Sequence, residues 1–199
     1  MKIAWLCNSS LGVSETFLGN NLNLLNQLGT VRAFSGNPIT ADQGSHPDVQ
    51  HLEFDYIPQR FDHILRQKLT GKNIRALSKR KKCFDALHKT LKKFNPDVIW
   101  VEFGTTAHVA SDLLRALNRP YFIAVHGFDI TREFRDPWYE TEFVRIANKS
   151  TAVICASFHT QNLCRVSGVL PEKTAVIRLP LDSKKLRRTI SLPVNQPMR

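Results

Sequence analysis

The chain has 199 residues, 42% of them hydrophobic, which suits a single domain large enough to bury a real core. Nowhere do eighteen apolar residues follow one another, which excludes a helix that spans a membrane. The formal net charge is +11, and the four cysteines (Cys7, Cys83, Cys155, Cys164) contain no C-x-x-C pair, so the chain reads as soluble and at home in a reduced, cytosolic setting.

In chain order, an apolar strand is expected at Lys2 to Cys7; the run is too short for a signal sequence. Asn8-Ser9-Ser10-Leu11-Gly12 follows, with one glycine where a dinucleotide fingerprint needs three, so NAD or FAD is not expected. A helix opens with Ser14 as cap and Glu15 in the positive first turn, and it carries Leu18, Leu22, Leu25 and Leu28 on one face. Strands at Val31 to Ser35 and Val49 to Phe54 come next.

The charge is concentrated after them. Twelve basic residues lie between Arg60 and Lys93 against Asp62 and Asp85 alone, a local excess of +10. Gly71-Lys72 has neither the upstream glycine nor the following Ser or Thr of a phosphate-binding P-loop. From Ile74 to Phe94 the apolar residues Ile74, Leu77, Phe84, Leu87, Leu91 and Phe94 keep to one broad side of a helix. The run Lys79-Arg80-Lys81-Lys82 spans all faces in one turn, so the helix either breaks there or a lysine snorkels across its apolar edge. With Arg75, these four make a solvated face or a patch for anions or anionic lipid.

Strands at Asp97 to Phe103, Tyr121 to His126, Ala152 to Ser157 and Thr174 to Leu179 alternate with two helices. One carries Ala107, Ala110, Leu114 and Leu117, and one runs from a Ser157 cap to Gly168 with Pro171 beyond. Repeated βα units predict an α/β fold: a doubly wound, mostly parallel Rossmann-like sheet of about seven strands with helices on both faces. Residues 1–182 form the domain. Residues 183–199, with Lys184, Lys185, Arg187 and Arg188, read as a linker or tail.

In such a sheet ligands enter at the carboxyl ends of the strands where the chain order reverses, here between strands one and four. Asn8 to Gly12 then faces Glu102-Phe103-Gly104. His126-Gly127-Phe128-Asp129 leaves the next strand about 10 Å from strand one, at about 4.8 Å per strand, a gap that fits a sugar ring. Gly127 opens the backbone beside the imidazole to close approach. Glu102, His126 and Asp129 lack a second histidine at metal-binding spacing, so no metal is expected. On residues alone His126 reads as a hydrogen-bonded structural side chain, Gly12 as a turn residue and Ser14 as a cap. Phe103, Phe128 and Trp138 read as core aromatics that also have the shape to stack on sugars.

Ser14-Glu15-Thr16-Phe17, Phe103-Gly104-Thr105, Pro120-Tyr121 and His126-Gly127-Phe128-Asp129 resemble, in their order and spacing, the N-terminal half of GT-B glycosyltransferases of family 4. The nearest branch builds bacterial exopolysaccharide and colanic-acid-like polymers. The resemblance runs on through Val153 to Ser157, Gly168 to Ile177 and Leu181-Asp182, over nearly the whole chain. It implies a retaining transferase in which His126 lies beside the transferred sugar, Asp129 holds the loop or the ring, Gly12 lets the first loop near the donor phosphates and Glu15 projects toward acceptor hydroxyls. Gly104 and Gly127 complete the substrate-binding set. Glu102 stands where the pattern usually has histidine, altering the charge facing the crevice, and Pro180-Leu181-Asp182 replaces the usual Gly-Val-Asp.

The resemblance also implies a second domain. Family members carry E-x7-E carboxylates in a C-terminal domain that binds the nucleotide-sugar, and no glutamate here has another eight positions on; Glu133 is followed by Thr141, Glu140 by Asn148 and Glu142 by Ser150. The chain is therefore expected to be the acceptor-binding half, inactive alone, with the donor domain following in a full-length or split enzyme. Expected partners are a nucleotide-sugar substrate, a glycan or lipid-linked acceptor and an anionic membrane at whose cytoplasmic face the protein sits, with no cofactor. The competing reading is a non-catalytic basic module for anionic lipid or nucleic acid. No aromatic or glycine pattern of a nucleic-acid module interrupts the basic run, which counts against nucleic acid.

Overall fold

The structure is a computed structural model that describes residues 1–8, 16–35, 49–51 and 73–179. In chain order these form β1 (Lys2–Cys7), α1 (Thr16–Leu28), β2 (Thr30–Ser35), β3 (Val49–His51), α2 (Asn73–Phe94), β4 (Val98–Glu102), α3 (Gly104–Val109) and α4 (Ser111–Leu117). The second half adds β5 (Tyr121–Val125), α5 (Phe128–Thr131), α6 (Pro137–Lys149), β6 (Ala152–Cys155), α7 (Phe158–Val166) and β7 (Thr174–Val176). The seven strands lie in the order β3-β2-β1-β4-β5-β6-β7, every pair parallel. The chain winds outward from β1 in one direction and from β4 in the other, so the reversal falls between β1 and β4, as expected.

Parallel strands are buried on both faces, and alternate residues divide between two cores. On one face Ile3, Trp5, Cys7, Ala33 and Phe103 pack with Leu18, Leu22 and Leu25 of α1, flanked by Val98 and Trp100. On the other Ala4, Leu6, Phe34, Ile99, Val101, Ile123, Val125 and Val153 pack with Leu87 and Leu91 of α2, Leu113 and Leu114 of α4, Phe143 of α6 and Cys164 of α7. Burying one large aliphatic side chain contributes about 1.5–3 kcal/mol, so these strips hold the layers together.

The boundaries differ from expectation in ways the backbone explains. β4 ends at Glu102 because Phe103 takes φ 71°, and β5 ends at Val125 because Gly127 turns at φ 123°. The helix expected through Ala107 and Leu117 is two, separated at Ala110. The strand expected over 49–54 is described as far as His51. Ser14 and Glu15 lie outside the described residues, and α1 has no acidic residue in its own first turn. α2 runs unbroken through Lys79–Lys82. Ser157 caps α7 as expected, in a capping box with Thr160, and Gly168 ends the turn beyond it at φ 106°.

Ile99, wholly buried in a central strand, tests the core. Ile99→Ala should lower unfolding free energy by about 2–5 kcal/mol in urea titration. Leu28→Ala, at a residue 64% exposed, should stay within about 0.5 kcal/mol.

Candidate functional site

The site is built where three strands end side by side. Residues two apart on a strand share a face, so Trp100 and Glu102 of β4 point the same way. Trp5 of β1 pairs in register with Trp100. This brings two indoles beneath one carboxylate. Glu102 Oε1 accepts from Trp5 Nε1 at 3.1 Å, from Trp100 Nε1 at 2.8 Å and from Asn21 Nδ2 of α1 at 3.1 Å. Glu102 Oε2 meets His126 Nε2 at 2.8 Å. The Glu102 side chain is 0% exposed and that of His126 is 7% exposed. A carboxylate taken out of water needs such partners, because unpaired burial of a charge costs far more than a hydrogen bond returns.

His126 is also held by packing. Its ring lies 4.6 Å from the ring of Phe17 and 4.9 Å from that of Phe103, centroid to centroid. Its Nδ1 is buried and has no hydrogen-bond partner among the described residues.

Asp129 does a different job. Its Oδ1 accepts from the backbone N–H groups of His126 at 3.1 Å and Gly127 at 3.0 Å, and its Oδ2 from that of Gly104 at 2.8 Å. Burial pushes its carboxyl above the usual range, while the three N–H donors and the nearby His126 pull it down. One side chain thus ties the turn after β5 to the turn after β4. Gly127 at φ 123° occupies a conformation that side chains rarely adopt, and a Cβ there would meet nothing within 4 Å among the described residues, which leave the space beside it open. Gly104 is needed for a different reason. A Cβ there would lie 2.7 Å from Tyr139 Oη and 2.8 Å from Phe143 Cε2.

The structure therefore joins His126, Glu102, Gly104, Gly127 and Asp129 into one hydrogen-bonded set. Glu102 does not face the crevice, because its oxygens are enclosed by three N–H groups and the His126 ring nitrogen. Gly12 and Glu15 lie outside the described residues. Arg75, Lys79, Arg80 and Lys81 are on α2 with side chains outside the described set, and Lys82 is exposed. α2 sits on the sheet face opposite α1 and Glu102. Asn8 donates its N–H to Thr106 Oγ1 at 2.9 Å, which brings the start of the first loop against α3. No group of three His, Cys, Asp or Glu among the described residues is placed to hold a metal ion.

Sequence reasoning misses Trp5, Asn21 and Trp100; Phe103, expected as a core aromatic with the shape to stack on a sugar, is buried in the core, but its backbone conformation is not expected. The signal for the tryptophans was present: a glutamate at the end of an apolar strand, two residues from Trp100, requires N–H partners. Phe103 carried none. At φ 71° and ψ 142° it holds a backbone conformation that costs about 1–3 kcal/mol, and such residues gather at ligand sites. Its burial at 3% exposure and the Asp129–Gly104 bond on the next residue keep it there.

The model of Glycosyltransferase Family 4 matches residues 46–185, more than half of the chain. Among solved structures, the chain is similar to HepE (Alr3699) of Anabaena in complex with UDP, with TM-score 0.65 and 18% identity over 92% of this chain and 45% of that one. It is similar to the apo form of WaaB, a lipopolysaccharide outer core galactosyltransferase, with TM-score 0.62 and 13% identity over 91% and 46%. It is also similar to UDP-N-acetylglucosamine 2-epimerase of Rickettsia bellii, with TM-score 0.60 and 14% identity over 88% and 44%. The chain spans about half the length of these proteins. At such identities the likeness establishes the fold, the expected Rossmann-like half of a GT-B architecture. No curated protein matches the sequence.

The Asp129 clamp is open to test. Asp129→Asn should present an amide to one of the three backbone N–H donors and cost about 1–3 kcal/mol in urea unfolding, the penalty of a buried donor left without an acceptor. Gly127→Ala should cost about 1–3 kcal/mol by the same measurement, through backbone strain and not through a clash.

Proposed function

The chain belongs to glycosyltransferase family 4, and from that premise we propose that it is the acceptor-side half of a retaining glycosyltransferase. The enzyme moves a sugar from a nucleotide-sugar to a glycan or lipid-linked acceptor in polysaccharide synthesis. The observation that carries this reading is His126. It stands at the end of β5 beside the sheet's reversal point, fixed through Nε2, with Nδ1 unused among the described residues and open space beside Gly127. In the transferase His126 hydrogen-bonds the transferred sugar and stabilises the charge that develops as the donor bond breaks. Gly12 lets the first loop near the donor phosphates, and Glu15 meets acceptor hydroxyls.

In this reading the donor binds mainly to a second domain of the kind that carries E-x7-E carboxylates, and no E-x7-E spacing occurs among these 199 residues. The similar structures are about twice its length. The isolated chain therefore folds and does not transfer sugar; turnover of any nucleotide-sugar by the pure 199-residue protein would sink this part of the proposal. Joined to its donor-binding domain, His126→Ala should lower kcat by about a hundredfold or more, the scale of losing one preorganised hydrogen-bonding group, with the fold intact by circular dichroism. Near-normal turnover would return His126 to a purely structural part.

The basic helix supports placing the protein at the cytoplasmic face of an anionic membrane, where lipid-linked acceptors are presented. Lys82, Lys89, Lys92 and Lys93 are exposed on α2, while Leu87, Leu91 and Phe94 are buried. No helix among the described residues is long and apolar enough to cross a membrane. Each surface lysine or arginine contributes about 1 kcal/mol of attraction to anionic lipid. Replacing Lys79, Arg80, Lys81 and Lys82 with glutamine should thus remove about 4 kcal/mol, roughly a thousandfold in vesicle partitioning, with wild-type binding falling as salt rises. Equal sedimentation of both forms with anionic vesicles would remove the membrane from the proposal. Tight, salt-sensitive RNA binding without affinity for lipid or glycan would favour the non-catalytic basic module instead.

A further inference from the structure

Two oxygens of one buried carboxylate have been given different partners. Glu102 Oε1 accepts three N–H groups, from Trp5, Trp100 and Asn21, all of which can only donate at the atoms used. Glu102 Oε2 faces His126 Nε2 alone among the described residues. An ionised carboxylate accepts and does not donate, so beside the ionised Glu102 the ring nitrogen that faces it carries the proton. In the neutral imidazole the second nitrogen, Nδ1, then holds a lone pair. That atom is buried in a side chain 7% exposed and has no partner among the described residues, a state that buried polar atoms rarely keep.

We propose that Glu102 is a positioning residue that fixes the His126 tautomer with its proton on Nε2, so that Nδ1 meets substrate as a hydrogen-bond acceptor. This rests on the reading of His126 as a substrate contact and deepens it by naming the chemistry recognised. An acceptor nitrogen takes a hydrogen bond from a hydroxyl. It finds no donor on the ionised diphosphate of a nucleotide-sugar, which offers acceptor oxygens only. A sugar hydroxyl is a donor that fits beside His126. The buried Glu102 carboxylate behind the ring reinforces this, since its negative charge favours a neutral or developing positive centre there over an anion.

The donor set around Oε1 makes the test sharp. In Glu102→Gln the amide oxygen must take the Oε1 place, because three N–H groups converge on it. The amide nitrogen then faces His126 Nε2 as a donor and drives the ring proton to Nδ1. A residue that only anchored two tryptophans would leave the tautomer unmoved. The readout is the long-range 15N–1H correlation pattern of the imidazole rings in the 199-residue chain, with the His126 signals assigned by their loss in His126→Gln.

The wild type should show the Nε2–H tautomer, and Trp100→Phe, which removes one donor and leaves the Glu102–His126 bond, should keep it. Glu102→Gln should show the Nδ1–H tautomer. Nδ1–H or a doubly protonated ring in the wild type across the whole range of folding pH, or Nε2–H retained in Glu102→Gln, would overturn the proposal. The wild-type ring alone suffices for this if Glu102→Gln does not fold. No donor or turnover enters the measurement: an Nε2–H ring with undiminished transfer by His126→Ala would overturn the proposed function and leave the tautomer standing, while Nδ1–H in the wild type would do the reverse.

Discussion

A carboxyl group at 0% exposure, that of Glu102, is the constraint around which this end of the molecule is arranged. Its partners come from β1, from β4 itself, from α1 and from the turn after β5. None of these contacts is local except that from Trp100. The carboxylate therefore acts as a register pin: a shift of β1 against β4 by one residue would turn Trp5 to the opposite face and leave a charge unpaired in the core. The indoles serve twice, since their rings fill the core beneath α1 while their N–H groups satisfy the charge.

The two buried carboxylates divide the labour of the site. Glu102 holds a side chain and Asp129 holds backbone. Asp129 sets where the β5 turn lies relative to the β4 turn, and in doing so it stabilises the peptide that follows the strained Phe103. Phe103 in turn supplies one wall for the His126 ring, with Phe17 supplying another. Each element of the site thus restrains a neighbour, so the imidazole sits in a position determined before any ligand arrives. Preorganisation of this kind is what allows a single polar group to count in catalysis.

Much of the fold was legible because its signals are local or periodic. Alternating βα patterns gave seven strands and the reversal between β1 and β4, and Ser157 announced the start of α7 by a side chain that bonds the backbone three residues on. His126, Gly127 and Asp129 could be singled out because a polar run at the end of a buried strand is conspicuous. Other parts depend on long-range geometry. The break at Ala110 has no glycine or proline to mark it, and the positive φ of Phe103 is imposed on a residue that would not choose it. In sequence Glu102 lies 97 positions from Trp5 and 81 from Asn21, so nothing local marks it as turned away from the crevice. Only the folded sheet brings those donors to it. The family resemblance named the histidine position and could not have named the donors, since Glu102 departs from the usual pattern.

The order of the strands has a consequence for how the chain is made. β1 lies in the middle of the sheet, with five of its six residues buried, yet its partner β4 is encoded about ninety residues later. At a synthesis rate of about 5–20 residues per second, roughly 5–18 s pass between the emergence of these two strands. Until β4 emerges, β2 is the one neighbour in the sheet with which β1 can pair, and its other edge has no partner. An emerging polypeptide in that condition is a substrate for chaperones and a hazard for its neighbours on the polysome. Closure of the β1–β4 seam, with Trp5 reaching Glu102, ends that exposure.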